Sequence, residues 1–209
     1  MASEALIVVD LQNDFCPGGA LGVAGGDEIV PIINRLVHDF EHVILTQDWH
    51  PAHHSSFASS HPGKNPFETV QMAYGPQTLW PDHCVQGTRD ADFHPDLDAS
   101  GIDFVQRKGT DPAVDSYSAF RDNDQTAITG LSGYLSKRGV DQLDVCGLAT
   151  DYCVSASAID AATMLPGTRI RFIEDASRGI DASTVAAARE KMLAAGIEII
   201  TSSAVLDAA

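Results

Sequence analysis

Short, unbroken apolar runs that each end in polar or charged residues constrain this chain more than any other feature. Residues 6–9 (Leu-Ile-Val-Val) end at Asp10, residues 43–45 (Val-Ile-Leu) end in Thr46-Gln47-Asp48, and Phe104-Val105 leads to Arg107-Lys108-Gly109. A fourth run, residues 143–146, stops at Gly147, and residues 169–173 and 197–200 supply two more. The first run lacks the alternation of a half-exposed strand and has the pattern of a strand buried on both faces of a parallel sheet; the others read as further strands. Between them, Ile29, Ile32, Ile33, Leu36, Val37 and Phe40 recur at helical spacing. Further helices are read over residues 131–137, from Asp151 onward, and over residues 182–195. The alternation predicts an α/β fold: a doubly wound, mainly parallel six-stranded sheet with helices on both faces. No repeat or linker divides the chain, so residues 1–209 read as one domain. Periodicity is lost only over residues 49–97, where His and Pro accumulate; a functional excursion with short helices is expected there.

Charge narrows the partners. With 29 acidic residues against 13 Lys plus Arg, the formal net charge is -16. Such a surface repels phosphate backbones and anionic lipid, which argues against nucleic acid and membrane as partners and favours a neutral or cationic small substrate. The first ten residues lack a basic stretch followed by a long apolar one, so neither a signal peptide nor a membrane span is expected. Cys16, Cys84, Cys146 and Cys153 show no zinc-like pairing and read as reduced thiols of a cytoplasmic protein. The sequence is compatible with a homo-oligomer and does not require one.

Asp10, Lys108 and Cys153 each fall at or just beyond the carboxyl end of an expected strand, where open α/β sheets place ligands. Cys153 is expected in the first turn of a helix, where free N–H groups and the helix dipole bias a thiol towards thiolate. A lysine beside it would stabilise the anion and a carboxylate would carry a proton. The same residues would also serve as an Asp10–Lys108 ion pair with Cys153 as a small buried bystander. Asp48-Trp49-His50 places a carboxylate and an imidazole on one side of an extended segment, and His53, His54, His61 and His83 offer a third ligand that spacing alone does not choose. An Asp/His/His set suits zinc, iron or manganese better than calcium; the alternative is a histidine-rich surface loop without metal. Phe15, Trp49, Trp80, Tyr117 and Tyr152 either wall a pocket for a flat ring or fill the core.

Five segments in order complete the picture: residues 10–21 (DLQNDFCPGGAL), 47–51 (QDWHP), 80–87 (WPDHCVQG), Lys108-Gly109 and 147–154 (GLATDYCV). Together they resemble the nicotinamidases of the isochorismatase-like hydrolase superfamily. The resemblance implies a cysteine-dependent, metal-assisted amidase that converts nicotinamide to nicotinate and ammonia in NAD salvage, with pyrazinamide as a further substrate. It implies Cys153 as nucleophile, Asp10 as proton shuttle and Lys108 as the third member of the triad. It implies Asp48, His50 and His83 as ligands of one divalent ion, zinc first and iron or manganese next, with Ser56 or His54 as a fourth contact. Phe15 and Trp80 would sandwich the ring, with Tyr117 and Tyr152 nearby. A cis peptide at Leu148-Ala149 is also implied, with the N–H groups of Ala149 and Cys153 aimed at one oxyanion. Rival readings are another amidohydrolase of the superfamily and a non-catalytic metal-binding or thiol-sensing relative. His53 has no assigned role.

Overall fold

In the computed structural model, which describes residues 3–207, the apolar runs lie side by side in a six-stranded sheet. In chain order the elements are β1 (Ser3–Val9), α1 (Val30–Leu36), β2 (His42–Asp48), β3 (Thr69–Met72), β4 (Gly75–Thr78), β5 (Phe104–Lys108), α2 (Leu131–Lys137), β6 (Val140–Leu148), α3 (Ser155–Met164), β7 (Arg169–Arg178), α4 (Ala182–Ala194), β8 (Glu198–Ile200) and α5 (Ser203–Leu206). The large sheet runs β5-β2-β1-β6-β7-β8, and every neighbouring pair in it is parallel.

Alternation along β1 divides the core. Leu6 and Val8 pack on one face with Val30, Ile33 and Leu36 of α1 and Val205 of α5. Ala5, Ile7 and Val9 pack on the other with Leu131 and Leu135 of α2, Ala158 and Ala161 of α3 and Met192 of α4. Successive side chains of a strand point to opposite faces, so a strand covered on both sides must be apolar throughout. Each fully buried Leu, Ile or Phe contributes roughly 1.5–3 kcal/mol of transfer free energy, and the two layers together can carry an unfavourable charge cluster at one sheet edge.

The strands outrun the apolar runs that mark them. β2 continues to Asp48 and β5 to Lys108, and all of β2 is buried although it carries Thr46, Gln47 and Asp48. Residues 49–97 depart from the expectation of short helices alone. They hold short 3-10 turns and also a separate antiparallel ribbon, β3–β4. The strand at Thr69–Met72 is half solvated, and Pro76 interrupts the apolar signal in its partner, so no continuous run marks the pair.

Candidate active site

β1 lies at the middle of the strand order, with β2 on one side and β6 on the other. The crevice beyond the carboxyl ends at such a reversal is where open α/β sheets bind ligands. Asp10 follows β1 directly and takes a left-handed backbone (φ 45°), which is uncommon outside glycine. The β2–β5 register sets Asp48 opposite Lys108. β6 ends in a Leu148–Ala149 peptide that is cis. Cys153 lies in the opening turn of the helical segment after β6, as expected; that turn is π-helical, Thr150–Val154, and leads directly into α3.

The structure brings Asp10, Lys108 and Cys153 together. All three are buried. The Lys108 ammonium donates to Cys153 Sγ at 3.3 Å, to Asp48 Oδ1 at 3.0 Å and to the Ser116 carbonyl at 3.2 Å, which uses its three N–H bonds. Asp10 Oδ2 lies 2.8 Å from the same nitrogen as an ion pair, yet it is a buried oxygen without an aligned hydrogen bond. Its other oxygen, Oδ1, accepts the Thr46 hydroxyl at 2.6 Å. One cation is therefore shared by more acceptors than it has hydrogens, and the oxygen left over faces the thiol's ammonium partner.

Burial raises the Asp10 carboxyl above its ordinary value, outweighing the pull of Lys108. Burial likewise pushes the Cys153 thiol well above its ordinary range; Lys108 draws it down, but Asp10 and Asp48 push it further up. Desolvation and two neighbouring carboxylates thus oppose the bias towards thiolate expected from a helix start. Burial alone would raise Asp48, but His50 and Lys108 outweigh it and hold that carboxyl well below the usual range.

Asp48, His50 and His83 converge close enough to share one ion. His50 Nε2 is 3.2 Å and His83 Nε2 3.5 Å from Asp48 Oδ2. His50 Nδ1 donates to the Gly109 carbonyl at 3.0 Å and His83 Nδ1 to the Pro81 carbonyl at 2.8 Å. A carbonyl only accepts, so Nδ1 of each ring carries a proton, and Nε2, the atom a neutral imidazole offers to a metal, faces the carboxylate, the arrangement typical of metal-ligating histidines. His50 Nε2 is moreover a buried nitrogen with no hydrogen-bond partner. A divalent ion fits this donor set. Gly109 makes room for the His50 ring: a Cβ there would lie 2.4 Å from His50 Cε1.

His54 does not join that set through a free lone pair. Its Nε2 donates to the Asp111 carbonyl at 2.8 Å and its Nδ1 accepts the Ser56 hydroxyl at 2.8 Å. Ser56 thereby spends its proton on His54 and keeps oxygen lone pairs. His61 donates to the Ser55 carbonyl, and His53 is exposed on a left-handed turn. Phe57, unremarked in the sequence and fully buried, packs edge-on against His50 and His83 at 5.4 and 5.5 Å.

A narrow cleft opens above these groups. Phe15, Trp80, Tyr117 and Tyr152 all line it, as do Ala149 and Cys153. Trp80 meets Tyr152 edge-on at 4.9 Å and donates from Nε1 to the Tyr117 hydroxyl at 3.3 Å. Leu21, Asp115 and Ile180 also line the cleft and escaped the sequence reading. Three supporting residues escaped it too. Gln12 brackets Asp48, donating to its carbonyl at 2.9 Å and accepting its N–H at 2.7 Å. Asp14 accepts the Cys84 N–H at 2.7 Å, next to His83. Thr46 aims Asp10. A signal for Thr46 existed: it is a polar residue inside a strand buried on both faces, where an unpaired hydroxyl would be costly.

The isochorismatase domain profile matches residues 4–204. The chain belongs to the isochorismatase family. Within that family, a nicotinamidase of Acinetobacter baylyi is 51% identical over 203 residues, covering 97% of this chain and 94% of the relative. The structure of a nicotinamidase/pyrazinamidase of Acinetobacter baumannii superposes with a TM-score of 0.95 at 50% identity, covering 99% of each chain. A pyrazinamidase of Pyrococcus horikoshii in complex with zinc superposes with a TM-score of 0.77 at 36% identity, covering 95% of this chain and 99% of that one. Among the described residues no helix is long and apolar enough to cross a membrane.

Proposed function

We propose that this chain, acting as one domain in the cytoplasm, hydrolyses nicotinamide to nicotinate and ammonia in NAD salvage, and accepts pyrazinamide. The single observation that carries the reading is the Asp10–Lys108–Cys153 cluster at the floor of an aromatic cleft, beside an Asp/His/His set. Similarity to nicotinamidases over nearly the whole chain agrees with it. The substrate is neutral, as the acidic surface favours.

Phe15 and Trp80 hold the ring, with Tyr117 and Tyr152 closing the wall, and the carboxamide carbon rests against Cys153 Sγ. Asp48, His50 and His83 hold a divalent ion, zinc being the first choice by analogy with the zinc-bound relative. When bound, that ion supplies a Lewis-acidic anchor for a ring-nitrogen lone pair. Ser56, with its free oxygen lone pairs, is the better fourth contact than His54.

Burial pushes the Cys153 thiol up, so Asp10 serves to remove its proton as sulfur attacks. Asp10 Oδ2, the oxygen with a spare lone pair, takes the thiol proton while sulfur bonds to the amide carbon and the C=O π pair moves onto oxygen. The N–H groups of Ala149 and Cys153 receive that oxyanion. Its collapse re-forms the C=O bond and breaks the C–N bond as Asp10 returns the proton to nitrogen, releasing ammonia and leaving a thioester. Asp10 then deprotonates a water that attacks the thioester; the C–S bond breaks and sulfur recovers the proton. Lys108 remains charged throughout and keeps the neighbouring anions tolerable: burial would lower its pKa, but Asp10, Asp48 and Cys153 raise it well above the ordinary value.

Ammonia release from nicotinamide by the zinc-loaded protein tests the proposal, with turnover expected on the order of 1–10³ s⁻¹. No release from nicotinamide or pyrazinamide would sink it.

A further inference from the structure

Ile180 is 42% exposed, one of the few large apolar side chains left open to solvent among the described residues, and it alone of those lines the cleft. It sits on the connection between β7 and α4, which has no regular structure of its own. An apolar residue on such a connection would swing freely unless something held its backbone.

Asp151 holds it. One carboxylate accepts the Ile180 N–H (3.0 Å to Oδ1, 3.3 Å to Oδ2), the Asp181 N–H at 3.3 Å and the Thr184 hydroxyl at 2.6 Å. The connection is pressed onto the turn beneath: a Cβ on Gly179 would lie 2.1 Å from Val185 Cγ2 and 3.0 Å from Asp151 Oδ1. Asp181 in turn caps α4, accepting the Ser183 N–H at 2.8 Å. Asp151 belongs to the same five-residue turn as Cys153. The rim of the cleft and the nucleophile are therefore fastened to one piece of backbone.

We propose that Asp151 is a positioning residue that latches the 179–181 rim to the nucleophile's turn, so that Ile180 limits how far the cleft opens and which ring substituents it admits. The assignment of Ile180 as a size filter rests on the ring-amide reading above; the latch itself does not. Loss of the latch loosens ground-state binding more than the chemical step, because Asp151 touches neither the thiol nor Asp10.

Two measurements decide it. Steady-state ammonia release is compared for nicotinamide and for nicotinamide bearing a bulky ring substituent, and hydrogen exchange is followed at the Ile180 and Asp181 amides. Asp151→Ala is expected to raise KM for nicotinamide roughly tenfold while kcat stays within about threefold, and to speed exchange at both amides by a similar factor. Thr184→Val, which removes one of the donors, should do the same more weakly, and Thr184→Ser, which keeps the hydroxyl, should restore wild-type values. Ile180→Ala should raise the relative kcat/KM of the bulky amide without speeding exchange at Asp181. Unchanged selectivity in Ile180→Ala, or a loss of kcat at constant KM in Asp151→Ala, would overturn the filter. Unchanged exchange in both Asp151→Ala and Thr184→Val would overturn the latch. If Asp151→Ala does not fold, the Thr184 pair decides. Absence of ammonia release by the wild type would refute the ring-amide reading and the filter with it, while exchange would still judge the latch.

Discussion

Two buried ion clusters share this sheet, and they are built on opposite plans. In its body, Arg171 of β7 faces Asp144 of β6 and makes a closed fork, Nε to Oδ1 at 2.7 Å and Nη2 to Oδ2 at 2.6 Å. At its carboxyl edge, Lys108 is shared among Asp10, Asp48, Cys153 and a carbonyl, and Asp10 Oδ2 is left without an aligned donor. The fork gives each Asp144 oxygen its own aligned N–H donor, so neither oxygen is left without a partner. The edge cluster holds an under-satisfied base next to a thiol, which is costly at rest and useful in a reaction. Burial of charge alone does not mark the site; incomplete pairing does.

That contrast can be broken by substitution. Cys153→Ala and Asp10→Asn should each lower kcat for nicotinamide by roughly 10⁴-fold or more, while costing no more than about 1–2 kcal/mol of stability by denaturant titration. Arg171→Met should do the reverse: about 3–5 kcal/mol of stability lost, because Asp144 is left buried and unpaired, with kcat within roughly threefold of wild type. Asp144→Leu added to Arg171→Met should regain most of that stability. A large kcat loss in Arg171→Met would end the distinction between the clusters. Next in size, metal chelation or His50→Ala should raise KM roughly tenfold or more with a smaller change in kcat, checked by kinetics beside elemental analysis of the protein.

The smallest effect is in pH. Asp10 must be ionised to accept the thiol proton, and burial lifts its pKa above the ordinary 3.8. Activity should therefore fade, as pH drops, at a higher pH than an ordinary aspartate would give. Thr46→Val removes the hydrogen bond that favours the ionised form, so the half-activity point of kcat/KM should move up by about 1 or less, with Thr46→Ser restoring it. A downward move would show that Thr46 does not serve the charged carboxylate.

Much of this architecture is legible in the sequence. The apolar runs announce all six strands of the large sheet: β1, β2 and β6, covered on both faces, cannot hide their composition, and the partly exposed edge strands β5 and β8 still keep short apolar runs. The residues at their carboxyl ends announce the edge cluster for the same reason: Asp10, Asp48 and Lys108 are charges where the run stops. What the sequence does not announce depends on backbone geometry and on distant partners. β3–β4 carries no apolar run. Leu21 and Ile180 reach the cleft from loops with no periodicity, and Asp115 looks like one more acid in an acidic chain. The state of Cys153 is the instructive reversal. Its place after β6 points to a thiolate, whereas its surroundings, burial and two carboxylates, can be known only from the fold, and they push the thiol the other way.

The most direct test of the edge cluster is acid-quench mass spectrometry of the zinc-loaded protein during nicotinamide turnover. A nicotinoyl thioester on the peptide containing Cys153, absent from Cys153→Ala, is the expected result. Ammonia release that persists in Cys153→Ala, or turnover with no acyl adduct on Cys153 at any quench time, would contradict the account.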